Sequence, residues 1–188
     1  SAWMNLSQAK RRGIRKGKAN GVKFEECRDI ATLKEFAHGL HFFYKEIIHK
    51  PLPDVSFFLS LLSDKRISKR VKVFVVRNNM GKVIGGMVCP FYRNTIYEWY
   101  IYSDRDQKKF YASEIATWEP MSLASKRKYK KFDMMGAGKP DQDYGVREFK
   151  KGFGGALVSY GRFKKIEKAF LSKIVFGLYQ IYNKMRVV

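Results

Sequence analysis

Residues 71–102 constrain the fold of this 188-residue chain more than any other stretch. Val71–Arg77 is apolar and rich in β-branched residues, which is typical of a strand. Asn78–Gly81 then provides an asparagine and glycine turn signal. Two further runs with strand character follow, Val83–Tyr92 and Thr95–Tyr102. The pattern therefore predicts a three-stranded meander at the centre of the protein.

Segments with helical spacing and two short strands surround this meander. Leu33, Phe36, Leu40, Phe43 and Ile47 recur at helical intervals in the first of these helices. Because helices and strands are interspersed, the chain predicts an α+β fold with a mixed central sheet flanked by helices and an extra C-terminal helix. The predicted helices are 29–50, 55–62, 110–129 and 164–186, and the additional strands are 22–27, 132–135 and 157–160.

The charge balance indicates an anionic partner. Lys and Arg number 38 against 17 Asp and Glu, which gives a formal net charge of +21. Such an excess is typical of proteins that bind nucleic acid, an anionic membrane face or phosphorylated substrates. Residues 7–20 contain six Lys or Arg, and either a solvated linker or a phosphate-contacting arm fits this composition. A hydrophobic content of 45% excludes a chain that is disordered throughout.

Neither a disulfide framework nor a metal centre is expected. Cys27 and Cys89 are too few for a framework, and their spacing does not suit zinc. His38 and His41 lie three residues apart on the first predicted helix, but no third ligand motif accompanies them. We therefore predict no metal ligands and no bound cofactor.

The basic C-terminal helix, predicted at 164–186, has two interpretations. Its apolar stripe and surrounding lysines fit a helix lying on an anionic membrane. Because the stripe is core-like, packing on its own domain or on a missing partner domain is the favoured interpretation. No apolar stretch is long enough to span a bilayer, and residues 10–12 precede no secretory apolar run, so we expect a cytoplasmic protein. Peripheral attachment at the inner membrane face is the second expectation.

Tyr144–Gly155, with the sequence YGVREFKKGFGG, is the strongest candidate for a functional site. Phe149 and Phe153 lie four residues apart, so one helical turn places both rings on one face to anchor the segment. Lys150 and Lys151 would then be held beside a glycine-rich backbone, an arrangement that suits an oxyanion or a phosphate. A helix that simply ends in a glycine turn is the alternative.

The same residues carry a resemblance to a known family. Gly145–Gly155 resembles the G-[IL]-x-x-F-K-x-x-F-G-G signature of the Fem family, the aminoacyl-tRNA-dependent transferases that build peptidoglycan cross-bridges. Arg11–Val22 is similar, more weakly, to the segment that leads into the second of the two GNAT-like domains of that family. The resemblance implies a GNAT-like acyltransferase fold, with aminoacyl-tRNA and a peptidoglycan precursor as partners. Glu148 departs from it, because the family often has arginine there.

The resemblance also implies which residues form the active site. Phe149 and Lys150 would be catalytic, with Lys150 stabilising the oxyanion and Phe149 packing on the donor or positioning the lysine. We expect the remaining substrate contacts from Tyr144, Arg147, Lys151, Gly154 and Trp99. The exposed face of the third strand, which includes Trp99, either packs in the sheet or lines a cleft that stacks a base or a sugar.

The loop expected to bind coenzyme A in ordinary GNAT enzymes lacks its glycines. Residues 106–112 read DQKKFYA, so their backbone amides cannot readily close on a pyrophosphate. This favours a charged tRNA as the acyl donor. A coenzyme A-dependent N-acyltransferase with another phosphate clamp, and a non-catalytic basic RNA- or membrane-binding module, are the alternatives.

The predicted domain plan has three parts. Residues 1–21 form a basic N-terminal arm or linker, 22–162 a GNAT-like domain of the Fem type, and 163–188 the C-terminal basic amphipathic helix. The Fem family has two GNAT-like domains, whereas this chain has room for one. We therefore expect it to act with a first GNAT-like domain or by association with a second copy of itself.

Overall fold

The computed structural model of the chain describes residues 2–139, 142–161 and 165–185, with side chains up to residue 182. It divides into two units, Ser1–Leu157 and Val158–Val188. The first unit contains the sheet and the candidate site.

A mixed sheet forms the centre of the first unit. Strand β2 pairs with β1 on one side and β3 on the other, and β3 also pairs with β4 and β5, all antiparallel. β4 pairs with β6 in parallel. The predicted α+β arrangement with a central meander is thus confirmed. The strands are β1 Lys23–Glu26, β2 Val71–Arg77, β3 Val83–Tyr92, β4 Thr95–Tyr97, β5 Tyr100–Ser103 and β6 Lys131–Asp133.

The third predicted strand is interrupted after Tyr97. Glu98 and Trp99 separate β4 from β5, and the Trp99 amide donates to the Val88 carbonyl at 3.0 Å. The Glu98 amide donates to the Asp133 carbonyl at 2.8 Å, at the last residue of β6. The predicted third strand is therefore divided at Glu98 into two parts that both pair with β3, and β4 in addition pairs with β6.

Helices cover both faces of the sheet. Successive strand residues point to opposite faces, so Val73 and Val75 pack among the residues of α3 and α4, while Val76 packs with α2 and α6. The helices are α1 Ala2–Asn5, α2 Gln8–Ala19, α3 Ile30–Phe43, which continues as a π-helix over Tyr44–Ile48, α4 Val55–Ser63, α5 Lys65–Ser68, a 3-10 helix at Arg105–Phe110, α6 Ala112–Lys126, α7 Gly145–Lys151 and α8 Ala169–Met185.

The basic segment near the N-terminus is a packed helix. Ser7 caps α2 by accepting from the Lys10 amide, and Ile14 is buried. Gly17 is needed for close contact, since a Cβ there would lie 2.6 Å from the Phe110 carbonyl oxygen. Glycines weaken an isolated helix, but here Gly13 and Gly17 permit the packing of α2. The domain boundaries at 21/22 and 162/163 stay a prediction.

The C-terminal region differs from its prediction in one element. Residues 157–160 are not a strand, because no strand among the described residues pairs with them. The C-terminal helix is α8, while residues 164 and 186, its predicted ends, lie outside the described residues. Within the described parts of the chain, no helix combines the length and apolar character needed to cross a membrane.

Candidate active site

The segment that carries the signature is a short helix anchored by aromatic packing. The Phe149 and Phe153 rings lie 5.2 Å apart between centroids, and Phe153 is only 1% exposed. Gly154 has a φ of +78°, and a Cβ there would lie 2.4 Å from the Asn5 carbonyl oxygen. The predicted substrate contact Gly154 therefore packs against the chain before α2, and its lack of a side chain is what allows α7 to sit there.

Helix α2 supports the signature directly. The Ser7 amide donates to the Gly152 carbonyl at 2.8 Å. Lys10 Nζ lies 3.4 Å from the centroid of the Phe149 ring and 2.9 Å from Glu114 Oε1. Burial lowers the pKa of Lys10, and the Glu114 carboxylate opposes that effect. Helix α2 thus contacts the signature through its start, just before the Arg11–Val22 segment, and Phe149 packs beneath the Lys10 cation.

Lys150 is held by three acceptors. Its ammonium donates to the Met134 carbonyl and, at 3.1 Å, to the Gly136 carbonyl. It also lies 3.2 Å from Glu98 Oε1, with 14% of its side chain exposed. An ammonium has three N–H donors, and all of them have partners here. A substrate oxyanion that binds Lys150 must therefore replace one of these acceptors.

Glu98 is the site residue that the sequence analysis missed. It is only 3% exposed and lies where the third strand is interrupted. Burial raises its pKa, and the ion pair with Lys150 and the nearby Thr117 hydroxyl work in the opposite direction. Among the described residues, neither Glu98 Oε2 nor Thr117 Oγ1 has a partner in hydrogen-bonding geometry. A lone carboxylate within the aromatic run YEWYIY was the available sequence signal.

Three other predicted contacts are distributed around this pair. Arg147 donates to the carbonyls of Ala137 at 3.0 Å, Gln142 at 3.1 Å and Lys139, and thereby organises the loop before α7. Lys151 is exposed and pairs with Glu148 at 2.7 Å. Tyr144 is 37% exposed and packs over Gly138, where a Cβ would lie 2.6 Å from its ring. Arg147 thus supports the site, whereas Tyr144 and Lys151 remain accessible to a substrate.

An aromatic wall stands beside the Glu98–Lys150 pair. Trp99 is 39% exposed, and its ring centroid lies 4.9 Å from that of Tyr100. Tyr44, at the start of the π-helix, lies 6.2 Å from Tyr100. Burial is the main cause that raises the pKa of Tyr44. Tyr100, Glu98 and Tyr144 raise it further through their charges, so these three groups are neighbours of Tyr44. Insertions of π-helix type are frequent at functional sites, and this one begins at Tyr44.

The segment that replaces the pyrophosphate loop uses its amides internally. The Asp106 amide donates to Asp104 Oδ1 at 2.9 Å, and the Gln107 amide to the Asp104 carbonyl at 3.2 Å. The Tyr111 amide donates to the Lys108 carbonyl at 3.1 Å. A pocket of about 240 Å³ lies here, lined by the carboxylate residues Asp104 and Glu114 together with cationic side chains. These contacts make the segment a poor pyrophosphate site.

A family model described as an acetyltransferase (GNAT) domain matches residues 5–151. No curated protein sequence matches the chain. The crystal structure of FemX superposes with a TM-score of 0.69 at 15% identity, covering 81% of this chain and 55% of FemX. The chain thus spans about half of the length of that protein.

Two smaller proteins match over nearly their whole length. An aminoglycoside acetyltransferase from an uncultured soil metagenomic sample, in complex with sisomicin, has a TM-score of 0.59 at 16% identity, covering 80% of this chain and 99% of that protein. A ribosomal-protein-alanine N-acetyltransferase from Brucella melitensis biovar Abortus 2308 has a TM-score of 0.58 at 14% identity, covering 77% and 99%. At such identities these likenesses establish the fold, and the predicted GNAT-like arrangement is confirmed.

Proposed function

Because this chain belongs to the GNAT acetyltransferase family, and its fold is that of an acyltransferase, we propose that it transfers an aminoacyl group from aminoacyl-tRNA to an amine of a peptidoglycan precursor. The observation that carries the proposal is the buried Glu98–Lys150 pair, 3.2 Å apart, next to the glycine-rich signature. The likeness to FemX supports the choice of donor. Since the chain spans about half of FemX, the partners and acceptor are part of the proposal.

Aminoacyl transfer requires charge stabilisation and one proton transfer. The acceptor nitrogen attacks the ester carbonyl, a C–N bond forms, and the carbonyl oxygen becomes an oxyanion. Lys150 releases a loop carbonyl and donates to that oxyanion. The C–O bond to the ribose then breaks, and the ribose oxygen leaves as a hydroxyl.

Glu98 is suited to handle the proton in this reaction. Its pKa is raised by burial, and a carboxylate with a raised pKa is a better base near neutral pH. Lys150 keeps it ionised before the reaction, and Oε2 is left to accept a proton from the attacking amine. The same proton returns to the leaving ribose oxygen, so the step balances without an added acid.

The aromatic wall gives the acceptor a binding surface. The faces of Trp99, Tyr100 and Tyr44 attract the acceptor as an ammonium through their π electrons, and the ammonium loses one proton to water before the neutral nitrogen attacks. The partly exposed Trp99 ring can also stack on the apolar face of a sugar. Both features favour an amine carried on a larger, partly carbohydrate molecule.

Transfer from acetyl-coenzyme A is the second candidate. It is favoured by the two acetyltransferases that match this chain over 99% of their own length. The internal use of the Asp106, Gln107 and Tyr111 amides argues against it, because a pyrophosphate needs free backbone donors.

A donor-exchange experiment separates the two candidates. The whole chain is incubated with charged tRNA or with acetyl-coenzyme A, and hydroxylamine serves as a small acceptor that needs no partner domain. We expect hydroxamate from the charged tRNA, and a loss of about 10²–10³ in rate in Lys150→Ala and Glu98→Gln. Hydroxamate from acetyl-coenzyme A alone, or unchanged rates in both variants, would overturn the proposal.

A further inference from the structure

We propose that the outward face of α2, formed by Arg11, Arg12, Arg15 and Lys16, binds the phosphate backbone of the tRNA donor. This inference rests on the proposed function and deepens it, because it assigns a docking surface for the donor. It is hereafter called the α2 basic face. Six of the twelve residues of α2 are Lys or Arg and none is acidic.

The helix orients its cations in two directions. Gly13, Ile14 and Gly17 are buried, and Lys10 turns inward to Glu114 at 2.9 Å. Lys18 pairs with Glu119 at 2.6 Å. The four cations of the α2 basic face lie on the remaining sides of the helix. Across the described residues, no carboxylate forms an ion pair with any of them.

This charge pattern opposes the stability of the helix. Arg11 and Arg15 are four residues apart, as are Arg12 and Lys16, and like charges at that spacing destabilise a helix. The first turn of α2 has no acidic residue, so the cations near its N-terminus also oppose the helix dipole. A polyanion lying along this face would relieve both penalties.

The packing of α2 holds these cations in place. A Cβ on Gly13 would lie 2.9 Å from Tyr111 Cδ1, and one on Gly17 would lie 2.6 Å from the Phe110 carbonyl oxygen, so the helix lies directly on α6 and the segment before it. The Arg15 guanidinium lies 5.5 Å from the Trp3 ring centroid. The four cations are therefore carried on a fixed helix. From Arg11 to Lys16 they span about 7.5 Å along its axis, because each residue adds 1.5 Å.

The helix that carries the α2 basic face contacts the signature segment. Lys10, which precedes Arg11, lies 3.4 Å from the ring centroid of Phe149, next in sequence to Lys150. The Ser7 amide at the start of α2 bonds to Gly152 at the end of α7. A nucleic acid bound along the α2 basic face therefore lies on a helix that directly contacts the helix carrying Lys150.

The chemistry of the face favours RNA over a membrane surface. Three of the four cations are arginines, whose planar guanidinium binds phosphate oxygens in pairs. A helix that binds a membrane presents apolar side chains to the lipid, but the one large apolar residue of α2, Ile14, is 1% exposed. The face thus offers charge without an insertion surface.

The test compares two variants of the full chain with equal charge change. One is Arg11→Gln/Arg12→Gln/Arg15→Gln/Lys16→Gln. The control is Lys65→Gln/Arg66→Gln/Lys69→Gln/Arg70→Gln, which removes two exposed lysines and two exposed arginines within and just after α5. Gln keeps high helix propensity, and circular dichroism verifies that both variants are folded. The probes are deacylated tRNA and vesicles of phosphatidylglycerol and phosphatidylcholine.

We expect the α2 variant to lose at least about tenfold in tRNA affinity at moderate salt, with the control close to wild type. Each lost phosphate contact removes about 0.7–0.9 from the slope of log K against log salt, so four contacts flatten it by about 3. Equal losses in both variants would reduce the effect to net charge and overturn the inference. Loss of vesicle binding with unchanged tRNA binding would also overturn it and assign the face to membranes.

These outcomes are independent of catalysis. If the α2 variant loses tRNA binding while Lys150→Ala transfers at the wild-type rate, the docking surface stands and the proposed mechanism fails. If tRNA binding is unchanged in the α2 variant while Lys150→Ala is inactive but folded by circular dichroism, the mechanism stands and the docking surface is wrong.

Discussion

Removing Lys150 should destabilise the first unit strongly and in a pH-dependent way. Lys150→Met keeps the apolar stem of the side chain but leaves Glu98, at 3% exposure, without its cation. Breaking a buried ion pair by removing one partner costs about 3–5 kcal/mol. At about 2–4 °C per kcal/mol for a unit of this size, the melting temperature should fall by roughly 6–20 °C.

The pH dependence follows from the pKa of Glu98. Burial raises the folded-state pKa above the unfolded value, so protonation stabilises the folded protein. That stability is fully present below the unfolded pKa and is lost as the pH rises through the folded pKa. Without Lys150 the folded pKa of Glu98 rises further, because the largest opposing cause is gone. The penalty of Lys150→Met should therefore be larger at about pH 8 than at about pH 5.

Urea unfolding of the full chain at the two pH values measures this effect. Lys151→Met is the matched control, because Lys151 is exposed and its pair with Glu148 is a surface contact expected to contribute about 0.5 kcal/mol or less. Glu98→Gln/Lys150→Met should recover much of the loss, since no buried charge then remains. A penalty below about 1 kcal/mol for Lys150→Met, or one that is equal at both pH values, would refute the reasoning.

Three further predictions concern the signature and the donor. Lys150→Arg should lose most transfer activity in the hydroxylamine assay, because a planar fork does not replace a point charge at one oxyanion, and wild-type rates would contradict this. Phe153→Ala should cost about 3–5 kcal/mol in urea unfolding, since the ring is 1% exposed, while the half-buried Phe149 should cost less; equal losses would be evidence against this packing. Acetyl-coenzyme A should bind weakly or not at all by calorimetry, and a micromolar dissociation constant would show that the amides of residues 106–111 can be released.

Local sequence patterns determined most of the sheet and several helices. The period of two and the turn at residues 78–81 specified β2 and β3, because these features depend only on neighbours along the chain. Asp54 marks the start of α4, where its carboxylate accepts from the Ser56 amide at 2.8 Å. The spacing of Phe149 and Phe153 likewise placed both rings on one face of the signature segment.

Only the tertiary structure decided how the candidate site is assembled. Glu98 and Lys150 are 52 residues apart, and no local pattern indicates that the interrupted third strand brings this carboxylate to the signature lysine. The role of Gly13 and Gly17 was equally hidden, since a glycine that weakens an isolated helix allows close packing only when a partner such as Phe110 is present. Propensity is a property of the chain, whereas burial, ion pairing and pKa depend on which distant residues become neighbours.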